Sequence, residues 1–177
     1  MIKEIVWVFG ISAVGKETFI RKLVEERPKV LIDKFNWKNK KLIPIWESIN
    51  NLAHYTGDRE GSKRDDIIKK VTSLKDSGIA ILKGQDIDIA CCRIQKLKEK
   101  MPKSKHRIIY LYTDLDIVYE RCKSKFWWKN EKVNFSKFKN SWFKYGIQLI
   151  KGLRGFEITA INNENDKFNE IKFPPQL

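Results

Sequence analysis

The residues of this chain that are best suited to chemistry lie in a glycine-rich turn near its start. Gly10 and Gly15, separated by four residues, are followed at once by Lys16, which is the pattern G-x-x-x-x-G-K. Glycine permits the positive φ angles with which successive backbone N–H groups turn toward one anion, and the lysine adds a positive charge. The pattern predicts a loop that binds the phosphates of a nucleoside triphosphate.

The residues on either side of the turn supply the context that such a loop needs. An apolar run at residues 5–9 precedes it, and an amphipathic run that begins at Phe19 follows it. A strand, the loop and a helix are therefore predicted in that order. The amino end of the helix would present free N–H groups and the positive end of its dipole to the same phosphates. This context favours a phosphate loop over a chance glycine-lysine turn.

The hydroxyl that usually follows the lysine of such a loop is displaced by one position. Glu17 stands directly after Lys16, and Thr18 comes next. We predict Thr18 as the Mg²⁺ ligand. The Glu17 carboxylate would repel a triphosphate unless it points outward along the helix, so a degenerate loop that binds without hydrolysing is the alternative.

Length and composition indicate one globular domain spanning residues 1–177. The chain has a mass of 21.0 kDa, with 42% hydrophobic and 33% charged residues, values typical of a folded domain with a full core. The first apolar run ends at Gly10, too early to cross a bilayer. Cys91, Cys92 and Cys122 lack the spacing of a zinc site or a disulfide framework. These features predict a cytoplasmic protein with free thiols and no membrane partner.

Apolar runs alternate with helical patterns along the chain. Strands are predicted at 5–9, 30–32, 79–82, 108–112 and 156–161, and helices at 16–26, 64–76, 88–100, 115–126 and 135–150. Such alternation predicts an α/β three-layer sandwich with a five-stranded parallel sheet. Ligands of such sheets collect beyond the carboxyl ends of the strands. One cleft should therefore be lined by residues 10–18, Asp33, residues 84–86, Thr113, Asp114, Asn162 and Asn163.

The chain resembles a small P-loop kinase over nearly its whole length. The resemblance rests on the glycine-lysine loop, on Asp33, on Gly84-Gln85-Asp86 and on the run Arg121-x-Lys123-x-Lys125. The group includes nucleoside monophosphate, gluconate and shikimate kinases and polynucleotide 5′-kinase-like ATPases. It implies a P-loop NTPase fold, ATP and Mg²⁺ as cofactors, and transfer of the γ-phosphoryl group to a small acceptor, for which a nucleoside or nucleotide is our first choice. Lys83-Gly84-Gln85-Asp86 stands in place of the Asp-Gly-x-Pro-Arg of adenylate kinases, which weakens that particular assignment.

The resemblance also implies roles for individual residues. Asp33 would position the acceptor or take its proton, and Asp86 would hold Mg²⁺ with Thr18; capping of a helix is the alternative for both carboxylates. Arg121 and Lys125 would close over the triphosphate as part of a lid at 121–134, although cations also favour the end of a helix for its dipole alone. The candidate catalytic residues are Lys16, Asp33 and Arg121. The candidate nucleotide-binding residues are Gly10, Ile11, Ser12, Ala13, Val14, Gly15, Lys16, Glu17, Thr18, Arg121 and Lys125.

Two further regions bear on the partners. The irregular stretch 34–61 is predicted to be an insert that binds the acceptor. The net charge of +14 is concentrated in residues 121–154, where ten basic residues face one acidic residue and aromatic residues lie between them. Such a segment can bind single-stranded nucleic acid, but the aromatic residues at 135–149 recur at helical spacing and are better explained as core. A nucleotide-dependent module that binds nucleic acid is therefore the rival hypothesis, and the lack of Asn-Lys-x-Asp argues against a GTPase.

Overall fold

A computed structural model of the chain describes residues 2–11, 13–45, 64–84, 87–123, 135–153, 156–164 and 168–172. Ser12, Asp86 and Lys125 lie outside these ranges. Most of the predicted acceptor insert and lid also lies outside them.

A six-stranded sheet forms the centre of the fold, in the order β2-β3-β1-β4-β5-β6. β1 to β5 are parallel, and β6 runs antiparallel to β5. The strands are β1 (Glu4–Phe9), β2 (Leu42–Ile45), β3 (Ile79–Lys83), β4 (Lys105–Tyr112), β5 (Ile158–Asn162) and β6 (Asn169–Ile171). The helices are α1 (Lys16–Glu25), α2 (Lys29–Lys34), α3 (Arg64–Ser73), α4 (Ile87–Lys100), α5 (Leu115–Lys123) and α6 (Phe135–Gly152). The predicted α/β architecture with five parallel strands is confirmed, and a short antiparallel edge strand is added to it.

The second predicted strand is wrong. Residues 30–32 belong to α2, which follows Pro28 and buries Leu31 and Ile32. A run of three apolar residues carries no period that separates a strand from one turn of a helix. The true second strand, β2, pairs with β3 and with no other described strand, and an edge position tolerates the missing N–H of Pro44.

Helices cover both faces of the sheet, which makes the fold a three-layer sandwich. On one face, the core includes side chains of α1, α2 and α5, among them Phe19, Leu31 and Val118. On the other, the core includes residues of α3 and α4, such as Val71 and Leu97. Cys91, Cys92 and Cys122 form no disulfide bond with one another. No helix within the described ranges is long and apolar enough to cross a membrane.

A buried ion pair closes the amino end of the sheet. Arg107 Nε of β4 donates to Glu4 Oε1 of β1 at 2.7 Å, and Trp37 Nε1 donates to Glu4 Oε2 at 3.0 Å. The Arg107 guanidinium also lies 4.7 Å from the centre of the Phe35 ring. Phe35 and Trp37 directly follow α2, so these contacts hold α2 and the turn after it at the amino end of the sheet.

Candidate phosphate-binding site

The turn between β1 and α1, which we call the phosphate loop (residues 10–16), is described except at Ser12. Among its described residues, Gly10 (143°), Ala13 (62°) and Gly15 (94°) have positive φ angles. A Cβ at Gly10 would lie 2.7 Å from the Leu111 carbonyl oxygen, so glycine is required there. Alternation of conformations in this way turns consecutive N–H groups toward a common point. The left-handed conformation of Ala13 costs about 1–2 kcal/mol, a strain typical of functional loops.

Lys16 begins α1 and folds back onto the phosphate loop. Its Nζ donates to the carbonyl oxygens of Gly10 at 2.7 Å and Ile11 at 2.8 Å. Burial, and as the smaller cause the positive charge of Lys83, together lower the pKa of Lys16 to about 7. The ammonium is thus held in a site that disfavours its charge, and an anion in the loop would restore that charge.

Two residues from other elements meet the phosphate loop at Gly15. Asn163, directly after β5, donates from Nδ2 to the Val14 carbonyl oxygen at 3.0 Å, and its own N–H donates to Tyr112 O at 2.8 Å. A Cβ at Gly15 would lie 2.8 Å from Asn163 Nδ2 and 3.9 Å from a terminal nitrogen of Arg121. The side chain of Arg121, from α5, is therefore beside the loop, where the sequence predicted it. Sequence reasoning placed Asn163 in this cleft but gave it no role.

Glu17 and Thr18 lie in the first turn of α1. Glu17 Oε1 accepts from Arg21 at 3.0 Å, one turn along the helix, and both side chains are exposed. The Glu17 carboxylate therefore points along the helix and away from the phosphate loop. Thr18 is exposed in the same turn, at the amino end of the helix where a metal bound to phosphates would lie.

Asp33 lies away from the phosphate loop. It is in α2, where its carboxylate pairs with Lys38 at 3.3 Å, and the following turn packs on Glu4 at the amino end of β1. The six residues of β1 separate the two ends of the sheet by about 17 Å. The expectation that Asp33 follows a strand at the carboxyl end fails because residues 30–32 are helical.

The end of β3 carries a lysine that sequence reasoning noticed only as a departure from a motif. Lys83 is the last residue of β3 and pairs with Val8 of β1, and the Gly84 N–H donates to the Val8 carbonyl oxygen at 2.9 Å. A Cβ at Gly84 would lie 2.5 Å from a ring carbon of Phe9, so the chain passes very close to β1. This position is a strand end beside the phosphate loop.

The described part of the site offers few protein oxygen atoms that could bind Mg²⁺. In kinases the ion is held mainly by substrate phosphates and water, with one or two protein ligands, and Thr18 suits such a role. In the described part of the chain, no cluster of three or more His, Cys, Asp or Glu side chains could hold a metal. P-loop NTPases use a strand-end aspartate near the metal, and β3, one of the two strands beside β1, ends in Lys83 instead.

The fold matches solved structures of known proteins. A chain of the PezAT chromosomal toxin-antitoxin system of Streptococcus pneumoniae matches with a TM-score of 0.56 and 17% identity, over 96% of this chain and 71% of that one. Shikimate kinase from Bacteroides thetaiotaomicron matches with a TM-score of 0.50 and 12% identity, over 90% of this chain and 86% of that one. The chain has the fold of a small P-loop kinase. No protein-family profile and no curated protein sequence matches it.

Within this P-loop kinase fold, the structure describes the basic segment (residues 121–154) at the end of α5 and in α6. Phe143 is half-buried against the core on the α1 face, and Phe135 meets Tyr119 of α5 edge to face at 5.0 Å between ring centres. Lys139 and Lys144 are exposed. The half-buried Phe143 agrees with core packing of the helical aromatic residues, and nucleic-acid binding by the exposed lysines stays a prediction.

Proposed function

We propose that the protein is an ATP-dependent phosphotransferase that moves the γ-phosphoryl group to a small acceptor. The observation that carries this proposal is the position of Lys16, whose ammonium is held inside a backbone loop by two carbonyl oxygens. The guanidinium of Arg121, which comes from α5, lies close to Gly15 of the same loop. A half-buried ammonium that pairs with no carboxylate in the described part of the chain, in a glycine loop at the amino end of a helix and beside a guanidinium, is arranged for a polyanion.

Binding of the triphosphate would redistribute these contacts. The loop N–H groups and the amino end of α1 would hold the β- and γ-phosphates, and Lys16 would exchange its two carbonyl partners for phosphate oxygens. Arg121 can grip two phosphate oxygens at once and would stabilise charge that develops during transfer. Mg²⁺, held with Thr18, would neutralise further charge on the phosphates.

The acceptor is proposed to bind on the β2 side of the phosphate loop. β2 and β3 lie on one side of β1, whereas β4 and β5, which lead to Arg121 and Asn163, lie on the other. The chain that follows β2 leaves the sheet at its carboxyl end, and this chain belongs to the predicted acceptor insert. Asp33 lies in α2, and the turn after it packs at the other end of the sheet, so we do not propose it for the acceptor-activating role.

The acceptor class is proposed to be a small hydroxyl compound, with nucleosides and nucleotides first. A likeness of fold to shikimate kinase, a kinase of a small molecule by its name, is consistent with this class.

The test is transfer of labelled γ-phosphate from ATP to a panel of nucleosides, nucleotides, sugars, hydroxy acids and 5′-hydroxyl oligonucleotides. Lys16→Met is the inactive control, and Lys103→Met, which removes an exposed lysine before β4, is the matched active control.

We expect one class of acceptor to be labelled by the wild type and by Lys103→Met, and none by Lys16→Met. Labelling of the 5′-hydroxyl oligonucleotide alone would make nucleic acid the acceptor. ATP binding without transfer to any class would contradict the phosphotransferase proposal and leave a nucleotide-binding module.

A further inference from the structure

Lys83, the last residue of β3, lies close to the phosphate loop in which a triphosphate would bind. It is opposite Val8 in the parallel register of β3 and β1, and neighbouring strands lie about 4.8 Å apart. Val8 is two residues before Gly10, where the phosphate loop begins. The backbone of Lys83 is therefore one strand away from the base of the loop.

The alternation of side chains in β3 sets the direction of Lys83. Ile79 and Ile81 pack into the core on the face that α1 covers, whereas Ala80 and Leu82 pack on the opposite face. Side chains two residues apart share a face, so Lys83 projects on the α1 side, the side from which Lys16 enters the phosphate loop. Lys83 is half-buried there.

The two lysines act on each other electrostatically. The charge of Lys83 is the second cause, after burial, of the lowered pKa of Lys16. In the described part of the chain, no carboxylate forms an ion pair with Lys83. Two ammonium groups close enough to interact in this way repel each other, and an anion bound between them would remove that repulsion.

The order of the strands indicates which phosphate that anion would be. Arg121 and Asn163 reach the phosphate loop from the β4 and β5 side, and Lys83 lies on the other side of β1. The acceptor is proposed on that second side, and the phosphate nearest to the acceptor in a transfer reaction is the γ-phosphate.

We propose that Lys83 is a second phosphate-binding cation that contacts the γ-phosphoryl group of the bound triphosphate. This inference rests on the proposed function, because it assumes that the phosphate loop takes a triphosphate. A carboxylate at the same strand end would act through Mg²⁺, whereas an ammonium binds the phosphate oxygens directly. The site should therefore distinguish ATP from ADP even without a divalent cation.

The test is calorimetric measurement of ATP and ADP affinity, in EDTA and in Mg²⁺, for the wild type, Lys83→Met, Lys83→Arg and Lys103→Met. A charged hydrogen bond to phosphate is worth about tenfold or more in affinity. In EDTA we expect Lys83→Met to lose about that much affinity for ATP and less than about twofold for ADP. Lys83→Arg should keep most of the preference for ATP, and Lys103→Met should match the wild type for both nucleotides.

Two results would overturn the inference. One is an equal loss of ATP and ADP affinity in Lys83→Met, which would indicate a general change in the loop or in the net charge. The other is unchanged affinity for both nucleotides in a folded variant. Because the readout is binding, it stays valid if the protein transfers no phosphoryl group; a wild type that binds neither nucleotide would remove this inference and the proposed function together.

Discussion

The two ends of the sheet differ in the partners of their charged side chains. At the amino end, Glu4 receives hydrogen bonds from both Arg107 and Trp37, and Arg107 also contacts Glu157. At the carboxyl end, Lys16 has two backbone carbonyls as partners and a second lysine, Lys83, nearby. The Glu4 and Arg107 charges at the amino end are thus paired with each other inside the fold. At the carboxyl end two lysines lie near each other, and we propose an anion from solution as their partner.

This difference predicts that changes at the two ends affect different properties. Removal of one member of a satisfied buried pair leaves its partner charged and without compensation, which destabilises the fold. Removal of a buried cation that repels its neighbour relieves a cost and takes away a binding group instead. Stability and nucleotide affinity should therefore separate between the two ends.

The largest expected effect is on stability at the amino end. Among the described carboxylates, Glu4→Ala leaves the buried Arg107 guanidinium with Glu157 at 3.3 Å, so we expect a loss of about 3–5 kcal/mol in the free energy of unfolding. Urea denaturation measures it, and ATP affinity of the folded fraction should stay at the wild-type value. Glu157→Ala is the matched control: its side chain is 63% exposed, and its loss should cost less than about 1 kcal/mol. Similar losses for the two variants would contradict the contrast between the ends.

Much of the carboxyl end could be predicted from the sequence because local patterns specify it. The spacing of Gly10, Gly15 and Lys16 predicts the loop, and long apolar runs predict four of the five parallel strands. The side chain of Arg121 lies near Gly15, and its predicted contact with the triphosphate stays a prediction.

The errors came from elements whose nature depends on tertiary contacts. Residues 30–32 and β2 are both short apolar runs, so their sequences do not show which of them is the strand. The tertiary contacts do: β2 pairs with β3, whereas the turn after residues 30–32 packs through Trp37 on Glu4. That error displaced Asp33 from one end of the sheet to the other. Lys83 was passed over because motif comparison looks for the expected carboxylate, and the proximity of Lys83 to the phosphate loop follows only from the register of β3 with β1.

The second prediction concerns pH at the carboxyl end. Without ligand, the pKa of Lys16 is about 7, and bound phosphate would raise it because an anion favours the charged form. ATP affinity should therefore fall as pH rises from about 7.5 to 9, by at most about tenfold per unit. Calorimetry in buffers of different ionisation enthalpy should show proton uptake on binding, and Lys16→Met should abolish that uptake.

The free energy of unfolding should change with pH in the opposite direction. Between about 7 and 10.5, Lys16 is mostly neutral in the folded protein but protonated in the unfolded chain. The unfolded state then binds more protons, so the Lys16 contribution makes the ligand-free protein more stable as pH rises through this window. Comparison with Lys16→Met isolates that contribution. A pH dependence identical in the two proteins would show that the ammonium is not held in a site that disfavours its charge.

The third prediction tests the contact that joins β5 to the phosphate loop. Asn163→Ala removes the hydrogen bond to the Val14 carbonyl oxygen, which is worth about 1 kcal/mol, or about fivefold in ATP affinity if it fixes the loop in its binding shape. Asn162→Ala is the matched control, because Asn162 Oδ1 accepts from the Glu164 N–H and not from the loop. If Asn163 only stabilises the fold, both variants should lower the melting temperature and leave ATP affinity unchanged.

The smallest expected effect is at Glu17. Its carboxylate pairs with Arg21 on the exposed side of α1, and an exposed pair of this kind contributes about 0.5 kcal/mol or less. Glu17→Ser should therefore keep ATP affinity and transfer rate within about twofold of the wild type, or raise them slightly, because one negative charge near the triphosphate is removed. Thr18→Ala, one residue further along the helix, should lower activity in a manner that raised Mg²⁺ partly restores. Loss of activity in Glu17→Ser with Thr18→Ala unaffected would reverse the two roles and place the metal beside Glu17.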